Sequence, residues 1–168
     1  MSTPSANTLD TSHVLRDDRF EGQGGSNHED RQKLHTKGWQ VVSIPDNIET
    51  AGGKTFVRLT DNRHSTAIIN LYPPGKRDEM HCHPGFEHLF YVVQGELHIY
   101  GINEGEDIVL HPGELVHINA SYYYQLANES DELTVLYQVE TKPAKPPKLT
   151  RYSYRGKDSL DAETLENG

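Results

Sequence analysis

Between Trp39 and Val139 the chain is a succession of short runs rich in Val, Ile, Thr, Tyr and Phe, each closed by turn-forming residues. That punctuation constrains the fold more than any other feature. The runs are Trp39 to Ile44, Thr55 to Leu59, Thr66 to Tyr72, His88 to Val93, Glu96 to Tyr100, Asp107 to Leu110, Leu115 to Ile118, Tyr122 to Leu126 and Leu133 to Val139. Pro73-Pro74-Gly75, Pro84-Gly85, Gln94-Gly95, Asn103-Glu104-Gly105 and Pro112-Gly113 separate several of them. β-branched and aromatic residues suit a pleated surface, whereas glycine, proline and asparagine supply the dihedral angles that reverse a chain. With no helical period between the runs, an all-β fold follows: a small antiparallel β-barrel or jelly roll.

The apolar residues stop at both ends of this region. Residues 1–38 are rich in Ser, Asn and Gly and read as a flexible arm, with Glu29 to Leu34 as a candidate short helix. Residues 39–140 form the barrel domain, and 141–168 a Pro/Lys-rich extension and tail. Pro143, Pro146 and Pro147 remove backbone donors, so the barrel is expected to end near Thr141.

Charge separates the two regions further. Residues 41–140 hold 15 acids and 5 bases, whereas 141–157 hold 6 bases and no acid. An acidic core argues against nucleic acid as a partner. The basic stretch reads most simply as an arm lying across an acidic core, its own or that of a second subunit. No window approaches the roughly 18 apolar residues of a membrane span, and Met1-Ser2-Thr3-Pro4 lacks the pattern of a signal peptide, so no membrane and a cytoplasmic location are expected. The single Cys82 excludes an internal disulfide.

Chemistry concentrates in His81-Cys82-His83-Pro84-Gly85-Phe86-Glu87-His88. Histidines at i and i+2 of a strand share a face, and a third beyond a Pro-Gly turn can meet them from the next strand, which points to a metal site made of His81, His83 and His88. Cys82 falls on the opposite face as a packed thiol. Glu87 competes with His88 for the third place, although strand alternation forbids both from pointing inward.

The spacing around this run resembles the first motif of the cupin superfamily: Gly75, five residues, His81-x-His83, four residues, His88, six residues, Gly95. His88 stands where that family usually has a metal-binding glutamate. The second cupin motif is matched by Gly113, five residues, Asn119-Ala120-Ser121, two residues, Tyr124, three residues and Asn128. Here Asn119 replaces proline, Ser121 replaces glycine and Tyr124 replaces the metal-binding histidine.

The resemblance implies a barrel holding a divalent metal and a small organic molecule. Fe(II) is the first expectation, with Zn, Mn, Ni or Cu as alternatives. Three neutral histidines favour an anionic, chelating substrate, so the leading reading is a non-haem Fe(II) dioxygenase acting on a small enolisable or hydroxylated compound. Tyr124 is the candidate catalytic acid or base, Phe90 and Tyr122 line the substrate site, and His117 is a reserve ligand. The alternatives are a redox-neutral lyase, isomerase or cyclase using Tyr124, and a non-catalytic small-molecule binding cupin. Similar proteins commonly form homodimers, which is the expectation here.

Overall fold

The computed structural model describes residues 40–44 and 48–155, so the expected N-terminal arm 1–38, its candidate helix, Trp39 and the tail after 155 lie outside the described residues. Residues 40–44 form no strand, contrary to the reading of Trp39 to Ile44. Ten strands follow: β1 (Thr55–Asp61), β2 (Ser65–Tyr72), β3 (His81–Cys82), β4 (His88–Gln94), β5 (Leu97–Tyr100), β6 (Ile108–Leu110), β7 (Leu115–Ile118), β8 (Gln125–Ala127), β9 (Thr134–Thr141) and β10 (Tyr152–Ser153). No helix occurs among the described residues, and none therefore is long and apolar enough to cross a membrane.

Every strand pairing is antiparallel. A five-stranded sheet in the order β1-β2-β9-β4-β7 accompanies a three-stranded sheet β6-β5-β8 and the short pair β10-β3. One core joins the two larger sheets: Tyr72, Phe90, Val92, Ile118 and Leu136 come from the first, Leu97, Ile99 and Leu126 from the second. Leu97, Leu126 and Leu136 are essentially fully buried, and each such side chain contributes roughly 1.5–3 kcal/mol.

Register decides which residues face the interior, because directly paired residues share a face. His88 lies opposite Glu140 on one side and Ile118 on the other; Phe90 lies opposite Gln138 and Val116. Ile68 pairs with Gln138 and with Arg58, and Asn70 pairs with Leu136 and with Phe56. The inner face of the large sheet therefore carries an unusual number of polar groups. The β4–β5 turn requires Gly95: at φ 75° an added Cβ would lie 2.6 Å from the Leu133 carbonyl oxygen.

The chain does not leave the barrel after Thr141. Lys142 pairs with Asp61, and the segment then returns, so that Tyr152 and Ser153 pair with Cys82 and His81. Arg151 pairs with Glu79, the Tyr154 amide donates to the Met80 carbonyl at 2.8 Å, and the Tyr154 ring packs edge-on to Tyr123 at 5.3 Å. Prolines interrupt the ladder without preventing a later two-residue pairing. The basic segment is thus a strap across its own barrel.

Candidate metal centre

β3 holds the first histidine between two neighbours. On one side it pairs with β10; on the other the His81 amide donates to the Tyr124 carbonyl at 3.0 Å and the Tyr124 amide returns the bond at 2.9 Å. The Pro84-Gly85 turn, closed by Phe86 N–H to the His83 carbonyl at 3.2 Å, brings the chain round into β4, where His88 is the first residue. The rings converge: His81 and His83 centroids are 5.0 Å apart, and those of His83 and His88 4.6 Å.

The tautomers follow from the partners. His81 Nδ1 lies 2.7 Å from the Glu79 carbonyl oxygen and His83 Nδ1 2.8 Å from that of Thr150. A carbonyl only accepts, so each Nδ1 carries the hydrogen and each neutral ring keeps a lone pair on Nε2. His88 Nδ1 is 2.8 Å from the Tyr124 hydroxyl. Its Nε2 is buried without a hydrogen-bond partner and lies 3.3 Å from Glu140 Oε2. One donor atom each from His83, His88 and Glu140 falls within 4.8 Å of the others.

A divalent cation with ligand bonds of roughly 2.0–2.2 Å needs donors about 3–4 Å apart, so these residues fit one with small side-chain adjustments. The buried Nε2 of His88, which faces Glu140 without a well-formed hydrogen bond, fits a ligand role, because buried polar atoms are otherwise satisfied. Anchoring of the opposite ring nitrogen is also what orients a histidine ligand. Electrostatics agree. Burial, helped by the neighbouring His88 and His81, lowers His83 to about 4, and burial lowers His81 as well. The facing His88 imidazole holds Glu140 below the usual carboxylate range despite burial. Neutral imidazoles beside an ionised carboxylate are the forms a cation binds.

These groups open onto a cavity of about 270 Å³ whose wall also includes Phe56, Arg58, Asn70, Tyr72, Phe90 and Gln138. Asn70 Nδ2 donates to Gln138 Oε1 at 2.7 Å. Burial raises the Tyr124 phenol well above its ordinary range, and Asp78 and Glu140 add to the shift, so its hydroxyl is protonated.

A match to the family described as cupin domain spans residues 69–140, from β2 to β9. This part of the barrel is a cupin domain. Solved structures share its fold: an RmlC-like cupin with a double-stranded β-helix from Methanocaldococcus jannaschii (TM-score 0.53, 15% identity, 63% of this chain and 93% of that one); a Cupin 2 conserved barrel protein from Salinispora arenicola (0.52, 19%, 63% and 91%); and a cupin-superfamily sugar phosphate isomerase from Silicibacter pomeroyi (0.53, 19%, 64% and 68%). No curated protein matches the chain in sequence. A cupin barrel with such a cavity is a small-molecule-binding fold.

Within the cupin barrel, His81, His83, His88, Phe90 and Tyr124 all line the same cavity. His83 and His88 belong to the tight donor group; His81 adjoins His83 outside it. Glu87 is half exposed and lies 3.4 Å from His117 Nε2 on the outer surface. His98 is engaged by Glu96 at 2.7 Å. Among the described residues neither His98, His111 nor His117 reaches the cavity.

Tyr122 requires correction: it lines a different pocket, with Ile99, Ile108 and Val116, and its hydroxyl binds Glu106. Strand alternation fails there because Ala120-Ser121 form a turn, with Ser121 at φ 65°, and β8 begins only at Gln125. Glu140 was missed for a related reason. The apolar run of β9 ends at Val139, but its inward alternation continues from Leu136 through Gln138 to Glu140, and that two-residue period was the available signal.

Proposed function

We propose that this cupin barrel is a metal-dependent enzyme in which His83, His88 and Glu140 would hold a divalent transition metal, with His81 as an adjoining nitrogen donor. The buried, unpartnered Nε2 of His88, facing Glu140, carries the reading. Two histidines and one carboxylate with open positions are the donor set of non-haem Fe(II) oxygenases, which supports Fe(II) and dioxygenase chemistry on a small enolisable or hydroxylated compound. The bound metal would supply Lewis acidity and an open position for substrate or dioxygen. A cavity of about 270 Å³ lies just under the roughly 300–1,000 Å³ of drug-sized ligand pockets, in keeping with a small substrate.

The residues of the chain have separable tasks. Asn70 and Gln138 present an amide pair to the bound molecule, and Phe90 excludes water beside His88. With Nε2 of His88 serving as ligand, Nδ1–H donates to the Tyr124 oxygen, which leaves the Tyr124 O–H free to hold a proton toward the substrate. That protonated phenol also supports a second reading, a redox-neutral isomerase or lyase in which Tyr124 acts as the acid; the Silicibacter neighbour described as a sugar phosphate isomerase is consistent with it.

The test is elemental analysis of protein purified without added metal, followed by turnover of a diketone, phenol and sugar phosphate panel with and without oxygen. Oxygen consumption with bound iron supports the dioxygenase. Turnover in its absence selects the redox-neutral reading, and ligand retention without product under any metal selects a binding module.

A further inference from the structure

The barrel is acidic, yet its cavity wall is not. Of the five bases between residues 41 and 140, Lys54 and Arg58 line the cavity, and Arg151 joins them from the strap; the acids of the wall are Asp78 and Glu140. Local pairing removes some of these charges. Lys54 Nζ binds both oxygens of Asp78 at 2.7 and 2.8 Å and sits over the Tyr72 ring at 4.6 Å, while Glu140 faces His88. Two guanidinium groups remain.

The Arg58 guanidinium makes no hydrogen bond among the described residues; its nearest acid, Asp61, is 3.5 Å away and is already bound by Lys142. Arg151 spends one nitrogen on Glu79, which is outside the cavity wall, and an arginine has five N–H donors. Both therefore retain donors directed by a planar fork suited to carboxylate or phosphate. Depth orders the cavity. His88, Asn70 and Gln138 are buried, whereas Arg58 and Phe56 are largely exposed at the mouth. By register, Arg58 lies opposite Ile68, and Ile68 opposite Gln138, on the strand whose next inward residue is Glu140. Arg58 is thus two strand spacings, about 10 Å, from the strand bearing the donor carboxylate.

We infer that Arg58 and Arg151 form an anion subsite at the cavity mouth, which takes the second acidic group, carboxylate or phosphate, of a substrate whose other end is held at His83, His88 and Glu140. The inference rests on the proposed metal centre only for the placement of the inner end. It specifies the substrate as a short molecule with acidic groups at both ends.

Calorimetric titration of zinc-loaded protein tests it, with succinate, glutarate and 3-phosphonopropionate compared with propionate and butyrate. At least one diacid is expected to bind tenfold or more above the monoacids. In R58Q the advantage falls below twofold at unchanged zinc content, R58K retains part of it, and R151Q weakens it. A phosphonate preference over the dicarboxylates identifies a phosphate ester as the substrate, and the reverse identifies a dicarboxylate. Equal binding of mono- and diacids by the wild type, or an undiminished advantage in R58Q, overturns the subsite. If the protein takes up no zinc, the metal reading fails separately, and titration of the metal-free protein with inorganic phosphate decides: binding lost in R58Q upholds the subsite, and no binding overturns it.

Discussion

The imidazole of His83 donates its Nδ1 hydrogen to the main-chain carbonyl of Thr150 at 2.8 Å, across 67 residues of sequence. A residue of the candidate metal centre is therefore aimed by the strap that follows the last long strand. Loss of such an outer partner typically weakens metal affinity about 10–100-fold.

Deletion of residues 149–168 is accordingly expected to lower zinc affinity by about that factor, measured by competition with a chromophoric chelator. Wild-type affinity in the shortened protein would show that Thr150 does not orient His83.

Glu140 separates the donor set seen in the structure from one made of histidines alone. In Glu140→Gln the site loses its anionic donor, and about tenfold or greater loss of metal affinity is expected, with His83→Ala and His88→Ala at least as severe. Full metal occupancy in the Glu140 variant, read by elemental analysis, would remove the carboxylate from the centre.

Tyr124→Phe deletes one oxygen and leaves His88 Nδ1 without its partner in a buried site. The unsatisfied nitrogen costs roughly 1–3 kcal/mol, so denaturant midpoints should fall while the barrel stays folded. Turnover should fall further than metal content does. Turnover unchanged at equal metal content would deny the phenol its role as proton donor.

Metal-free protein should lose stability as the pH falls. His83 is held at about 4 in the folded chain against an ordinary 6.5, so between those values the unfolded chain binds more protons and stability rises with pH. His81 shifts in the same direction. Thermal midpoints of chelator-treated protein should drop between pH 6.5 and 4 and level off above that window, and His83→Gln should flatten the slope. A wild-type profile that is flat across the window would contradict the burial of neutral His83.

The spacing from Gly75 to Gly95 was enough to place His81, His83 and His88 on one cavity, because in a strand the side chain alternates strictly and the turns set the register. Phe90 follows from His88 by the same alternation, whereas Tyr124, which precedes β8, was reached only through its spacing from Gly113 in the second motif. Glu140 was obscured because the strand was delimited by its apolar residues, although its pairing continues to Thr141. Tyr122 was misplaced by a left-handed residue at Ser121, a conformation that serine rarely adopts and that residue type alone does not announce. β10 is two residues long and has no period to detect; its pairing with β3 is a tertiary event.

The strap also sets an order of events. β9, the last strand of the five-stranded sheet, ends at Thr141, so on a ribosome all of the cavity wall but Arg151 emerges before the carbonyl that aims His83. On the proposed reading, cation capture at full strength waits for the strap, and a chain stopped between Thr141 and Thr150 would close its barrel but hold the proposed ion weakly.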